Sequence, residues 1–216
     1  MQSKENYYIE FLKEYHGIKK EYKEAIPKLL LHVCCGACSC YPLVFLSGLF
    51  DITIFYSNSN IYPEEEFDKR YAALSKYVDY INKKLKSNIK LVLDPYNHEE
   101  YLPILSPYKD MKEGGTRCEL CIKKRMKRAF EYAKENDFKF VTTVMTVSRN
   151  KNVNYINKLG KVLENEFSEL TYIFGDFKKN NGQDIGVMIS KECDVYRQNY
   201  CGCEFSIHEL NDKKWR

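Results

Sequence analysis

Apolar positions recur along the chain in two rhythms. Five short runs, Lys28 to Val33, Asp51 to Tyr56, Ile89 to Leu93, Phe138 to Thr143 and Leu170 to Phe174, are aliphatic, β-branched or aromatic, the pattern of short buried strands. Between them the spacing is helical. Residues 3–24 place Tyr7, Tyr8, Phe11, Leu12 and Tyr15 along one face, and Pro27 ends that stretch. Further helices are expected from the cysteine-rich turn at 34–38 to about Ser47, after Pro63-Glu64-Glu65-Glu66, whose proline and acids suit a helix start, and from about Asn152 to Phe167. Strands alternating with helices predict an α/β fold, an open, mostly parallel five-stranded sheet flanked by helices. Ligands of such sheets sit at the carboxyl ends of the strands, and the loops after the first, second, fourth and fifth runs carry the unusual residues. With no repeat or linker, residues 1–216 read as one domain: an N-terminal helix (1–26), an α/β core with the metal site (27–206) and a charged tail (207–216).

Hydrophobic residues make up 44% and charged residues 30%, an ordinary soluble composition. No apolar run approaches the ~18 residues of a membrane span, and the first residues lack an export signal, so a cytoplasmic protein without a membrane partner is expected. In that setting nine cysteines point to metal or redox chemistry rather than disulfides. The net charge of +4 does not announce a nucleic-acid partner. Basic clusters at 83–86, 123–128, 178–179 and 213–216 read individually as solvated surface.

Seven cysteines fall into three groups: Cys34, Cys35 and Cys38; Cys118 and Cys121; Cys201 and Cys203. Thr116 and Glu119 have the spacing of a capping box, which would open a helix with both thiols of the second group in its first turn. On that helix Cys118, Cys121, Arg125 and Arg128 share a stripe beside an apolar face of Ile122, Met126, Ala129, Phe130 and Ala133. A helix N-terminus and arginines favour thiolate. One CxxC alone fits an inert pair, a redox dithiol or half a zinc site. Seven thiols exceed what one zinc takes, whereas a four-iron cluster takes four and leaves three. Cys40 and Cys193 fall outside the groups.

These residues resemble the cobalamin-independent epoxyqueuosine reductase family, QueH. The likeness covers most of residues 28–206: His32-Val33-Cys34-Cys35, Tyr56 to Pro63 with Arg70, Arg117 to Cys121 with Arg125, Thr142-Thr143 with Ser148, Asp176-Phe177-Lys178-Lys179 to Gly182, and Tyr196-Arg197-Gln198 through Cys203 to Ser206. Ala37, Ser59 and Arg149 stand where the family commonly has proline. The resemblance implies a fold akin to the adenine-nucleotide hydrolase-like (HUP) group and a [4Fe-4S] cluster with an adjacent mononuclear iron. It implies deoxygenation of epoxyqueuosine at the wobble position of a tRNA with a GUN anticodon, with an external electron donor. On this reading all seven grouped cysteines are metal ligands, undivided between the two metals, and Tyr196, Asp176 and Lys178 are candidate proton donors. Asn58, Asn60, Thr142, Thr143 and Ser148 either bind the modified base and its diol ring or serve turn chemistry. Arg70, Arg117, Arg125, Arg197 and Lys179 go to phosphate or cluster electrostatics.

Two rivals differ in class. An adenylylsulfate-type iron-sulfur reductase should carry a glycine-rich phosphate loop after the first strand, where this chain has His32-Val33-Cys34-Cys35-Gly36. A non-catalytic metal-dependent RNA-binding or redox-sensing protein leaves the seven thiols unexplained.

Overall fold

The computed structural model describes residues 6–23 and 25–207; residues 3–5 and 24 of the expected first helix and most of the charged tail lie outside them. The strands are β1 (Lys28–His32), β2 (Asp51–Tyr56), β3 (Lys90–Leu93), β4 (Phe140–Thr143) and β5 (Thr171–Tyr172), in the order β3-β2-β1-β4-β5. Every pairing is parallel. β1 is central: Leu30 pairs with Thr53 on one side and Val141 on the other. Its apolar run reflects burial on both faces, since Leu29 and Leu31 join one core cluster and Leu30 the other. The sheet matches the expected architecture, with strands slightly shorter than the apolar runs and β5 reduced to two residues.

The helices are α1 (Tyr7–Glu21), α2 (Gly36–Leu46), α3 (Glu64–Leu85), α4 (Leu102–Leu105), α5 (Thr116–Glu135), α6 (Val153–Glu166) and α7 (Gly182–Glu192). α1, α2 and α3 contribute to one core cluster, α5 and α6 to the other. α1 buries Tyr7, Phe11 and Ile18, and Phe11 meets the rings of Phe45 and Phe177; Tyr8, Leu12 and Tyr15 are only half-buried.

One local expectation is corrected and one helix is added. α5 is preceded by Gly115, without a side-chain cap, and Thr116 is its first residue. The capping box does not form, and only Cys118 lies in the first turn. α7, which the residue pattern did not suggest, packs on α2 through glycines: a Cβ on Gly182 would lie 2.3 Å from the Phe177 carbonyl oxygen and 2.6 Å from the Tyr41 ring.

Chain order reverses between β1 and β4, so the crevice of the sheet opens at their carboxyl ends. Two buried side chains shape that edge. His32 contacts Thr143 Oγ1 through Nδ1 (2.9 Å) and the Ser57 carbonyl through Nε2 (3.3 Å). Asn157 bonds both the N–H and the carbonyl of Gly175, at 3.0 and 2.8 Å. α6 approaches β5 closely at Gly160, where a Cβ would stand 2.3 Å from the buried Tyr172 ring. Gly160→Ala is therefore expected to destabilise the fold by about 1–3 kcal/mol through overpacking, read as a lower urea midpoint with an unchanged slope.

Candidate metal centre and adjoining cavity

Cys34 and Cys35 follow β1 directly, and Cys38 lies in the first turn of α2. The Cys35 sulfur caps that helix, accepting from the Cys38 N–H at 3.4 Å. The three sulfurs lie within 4.8 Å of one another. Cys118 and Cys121 come from the start of α5, and Cys201 and Cys203 from a turn in which Gly202 has φ +111°. These four line one small cavity. A larger one, about 370 Å³, is bordered by Cys34, Cys38, Cys201, Asn58, Asn60 and Lys151, among others. Cys201, Arg125 and Lys151 border both.

The thiols are unequal. Hydrogen bonds from the Cys35 and Cys38 thiols hold Cys34 well below the usual thiol range. The bond to Cys34 in turn pushes Cys35 up to about 11, and Cys38 rises for the same reason. Burial raises Cys118 and Cys203 and pushes Cys121 up to about 12. One thiolate among protonated neighbours is the state expected of a ligand set that releases protons when it takes a metal. Burial alone would lower Lys151, but Cys201, Cys34 and Cys38 outweigh it and hold the ammonium charged.

The expected site residues divide sharply. Asn58, Asn60, Ser148, Arg70, Arg125 and Arg197 border the larger cavity. Asn58 is largely spent within the protein: Nδ2 donates to the Val33 carbonyl at 2.8 Å, and Oδ1 accepts from Arg125. Asn60 Oδ1 is buried without a hydrogen-bond partner among the described residues. Ser148 Oγ accepts from the Asn150 N–H, and Arg197 donates to Ser190. Arg70 donates to the carbonyls of Cys201 (3.0 Å) and Tyr200 (3.3 Å) and pairs with Glu66 at 2.7 Å. Arg117 borders the small cavity and donates to the carbonyls of Lys109 and Met111, both at 2.6 Å. These two arginines hold main chain.

Thr142 and Thr143 border neither cavity; their hydroxyls are engaged with the Ile173 carbonyl and with His32. Tyr196 turns its hydroxyl to Glu66 at 3.1 Å, Asp176 sits 3.7 Å from the Lys178 ammonium, and Lys179 is exposed; none of these four borders either of the two cavities. Cys40 donates to the Gly36 carbonyl, and neither it nor Cys193 borders either cavity.

Lys151 and Gln198 are cavity residues to which the sequence reading gave no role. Lys151 lies in the loop after β4, and that location at the carboxyl edge was its only signal. Gln198, one residue beyond Arg197, donates through Nε2 to the Cys35 sulfur at 3.0 Å and leaves a buried Oε1 unpaired among the described residues.

A parallel α/β fold that collects seven thiols and buried cations at the switch point of its sheet defines a metal-binding, redox-competent class of protein. The family model described as Epoxyqueuosine reductase QueH matches residues 29–209, and the chain belongs to that family. Proteins named Epoxyqueuosine reductase QueH from Staphylococcus aureus and Streptococcus pyogenes are each 35% identical over 85% of this chain, covering 78% and 72% of their own lengths. The Thermotoga maritima protein of the same name is 32% identical over 86% of this chain and 93% of its own. A solved U34-tRNA thiolase NcsA from Methanococcus maripaludis with its [4Fe-4S] cluster aligns at TM-score 0.45 and 13% identity, over 94% of this chain and 72% of that one, too distantly to add to the assignment. The adenylylsulfate reading finds no support in these matches. Among the described residues, no helix is long and apolar enough to cross a membrane.

Arg70 fixes the turn that carries Cys201 and Cys203, and a Cβ on Gly202 would lie 2.8 Å from its guanidinium. Arg70→Gln should cost about 3–5 kcal/mol, as when one partner of a buried ion pair is removed, and should lower iron retained per chain after gel filtration. Unfolding curves and elemental analysis check both.

Proposed function

We propose that this protein reduces epoxyqueuosine to queuosine at the wobble position of tRNA. The step takes two electrons and two protons, releases the epoxide oxygen as water and leaves an alkene. The observation that carries the reading is the division of seven thiols into a close trio and a four-thiol wall that share neighbours with one larger cavity, in a chain of the epoxyqueuosine reductase family.

The sulfur spacing suits two occupants. Ligands ~2.3 Å from one ion in a tetrahedron stand ~3.8 Å apart, so three sulfurs within 4.8 Å fit a single iron with a position to spare. Cluster cysteines each bind a different iron and stand further apart. Cys118, Cys121, Cys201 and Cys203 line one cavity without forming such a close-set group among the described residues, and they supply the four thiolates for a [4Fe-4S] cluster. When bound, the cluster supplies electrons singly, drawn from an external donor, and the iron supplies Lewis acidity.

The chain's own residues bind and orient. Asn60 and Ser148 face the modified base and its diol ring, and Gln198 offers a second amide oxygen beside Cys35. Lys151 sets positively charged N–H donors on the cavity wall, where they meet the oxygen as its bond to carbon breaks. Tyr196, Asp176 and Lys178 deliver protons only through intervening water, because none borders the cavity. Arg197 at the rim and exposed Lys179 meet anticodon-loop phosphates of a tRNA with a GUN anticodon. A base in such a loop is already largely unstacked, which suits an open cavity. Acting on tRNA, the enzyme works in the cytoplasm.

The test is anaerobic incubation of iron-reconstituted protein and reductant with tRNA carrying epoxyqueuosine, followed by nucleoside mass spectrometry. Loss of one oxygen supports the reading; an unchanged nucleoside beside an intact cluster sinks it. Cys118→Ala should abolish the charge-transfer absorbance. Cys34→Ala should keep it while losing about one iron per chain and turnover. Unaltered absorbance in Cys118→Ala removes Cys118 from the ligands.

A further inference from the structure

Three arginines are buried beside the thiols, and one is used differently from the others. Arg70 and Arg117 donate to main-chain carbonyls. Arg125 is 2% exposed, donates through Nη2 to the side-chain oxygen of Asn58, and has an Nε that meets no acceptor among the described residues. Asn58 is neutral, and among the described residues no carboxylate pairs with the Arg125 guanidinium. A buried charge with no countercharge costs several kcal/mol. Arg125 shares the wall of the larger cavity with Cys34, Cys38 and Cys201 and that of the smaller with Cys118, Cys121, Cys201 and Cys203, so the groups around it able to carry negative charge are these sulfurs, Glu113 and Glu119.

Placement makes the residue common to both thiol sets. Arg125 lies one helical turn beyond Cys121 on the same face of α5. Through Asn58, whose Nδ2 holds the carbonyl of Val33, it reaches the residue that precedes Cys34. The relay Val33, Asn58, Arg125, Cys121 thus joins the loop of the close trio to the helix that carries two thiols of the other set. Lys151 is the second cation bordering both cavities, and Glu113 is a carboxylate that does so. Two positive charges face one negative on the shared wall.

We propose that Arg125, with Lys151 beside it, is a positioning residue that sets the electron affinity of the iron-sulfur centre and places both metal sites in one electrostatic field. The inference rests on the reading that Cys118, Cys121, Cys201 and Cys203 hold a cluster. Reduction adds negative charge to a group away from water, where a fixed cation on the same wall acts with little screening and favours the reduced form. Hydrogen bonding and charge around cluster sulfurs are recognised levers on potential. The same cation lessens repulsion between the two thiolate sets.

The experiment compares wild type, Arg125→Gln, Arg125→Lys and Lys151→Gln after identical reconstitution. Iron and sulfide are counted, and the cluster is titrated electrochemically with EPR detection. At the potential where wild type is half reduced, Arg125→Gln should show a reduced-to-oxidised ratio at least about tenfold lower, equivalent to 59 mV for a one-electron couple. Lys151→Gln should shift in the same direction by less, and Arg125→Lys should stay near wild type. An unchanged midpoint in fully loaded Arg125→Gln overturns the proposal. If Arg125→Gln takes up no iron, a loaded Arg125→Lys near the wild-type midpoint with a negative shift in Lys151→Gln upholds it, and no shift in Lys151→Gln overturns it. A wild-type protein that takes up no cluster overturns the underlying metal assignment itself, whereas a loaded wild type with insensitive variants overturns only this inference.

Discussion

Three sulfur atoms within 4.8 Å of one another cannot all be thiolates unless positive charge is brought to them, because like charges at that range drive protons back on. Without a metal, the conflict is resolved by inequality: Cys34 carries the charge while Cys35 and Cys38 keep their protons. With one, the ion is the countercharge. Either way the surroundings must tolerate negative charge in a dry place, and the carboxyl edge of the sheet is arranged accordingly. Arg125 and Lys151 stand on the wall, and His32 beneath it is driven by burial to a pKa of about 3, so it stays neutral.

Gathering ligands from distant parts of the chain is a separate problem from neutralising them. Cys34 to Cys38 are fixed by the strand they follow and the helix they open. Cys201 and Cys203 belong to no regular element, and their turn is secured from outside by Arg70, by the Tyr62 N–H donating to the Gly202 carbonyl, and by the ring of Tyr200 beneath the guanidinium. A planar fork of donors can span two adjacent carbonyls where an ammonium presents one point. That geometry explains why Arg70 serves the backbone at a position where a phosphate ligand was also plausible.

The strands were legible because parallel strands buried on both faces are nearly continuous apolar runs, and β1 and β2 were bounded to within a residue. α7 was not, because Gly182 and Gly186 break its helical pattern while providing the close approach to Tyr41 that seats it on α2. The cysteine grouping was visible in sequence; its division was not, since it depends on sulfur distances. Arg70, Thr142 and Thr143 show the limit most clearly. A polar side chain near a strand end is equally suited to a ligand or to a main-chain partner, and only the fold reveals that the Ile173 carbonyl and the His32 ring were within reach of those two threonines. Lys151 reverses the case, an unremarkable lysine in sequence that the loop after β4 delivers to both cavities.

The choice of polar groups on the cavity wall follows from the same charge constraint. Asn58, Asn60 and Gln198 are amides, and each lies where a carboxylate would also offer an acceptor oxygen. A carboxylate beside Cys34 or Cys35 would raise their pKa values and oppose loss of the protons that a metal must displace. An amide accepts a hydrogen bond from a ligand, as the unpaired oxygens of Asn60 and Gln198 can, without adding charge, and its N–H end can simultaneously steady a sulfur, as Gln198 does for Cys35. Glu66 obeys the rule by being spent on Arg70 and the Tyr196 hydroxyl. The cavity can therefore read a polar substrate by orientation while the negative charge on its wall is limited to sulfur and to Glu113 on the side shared with the smaller cavity.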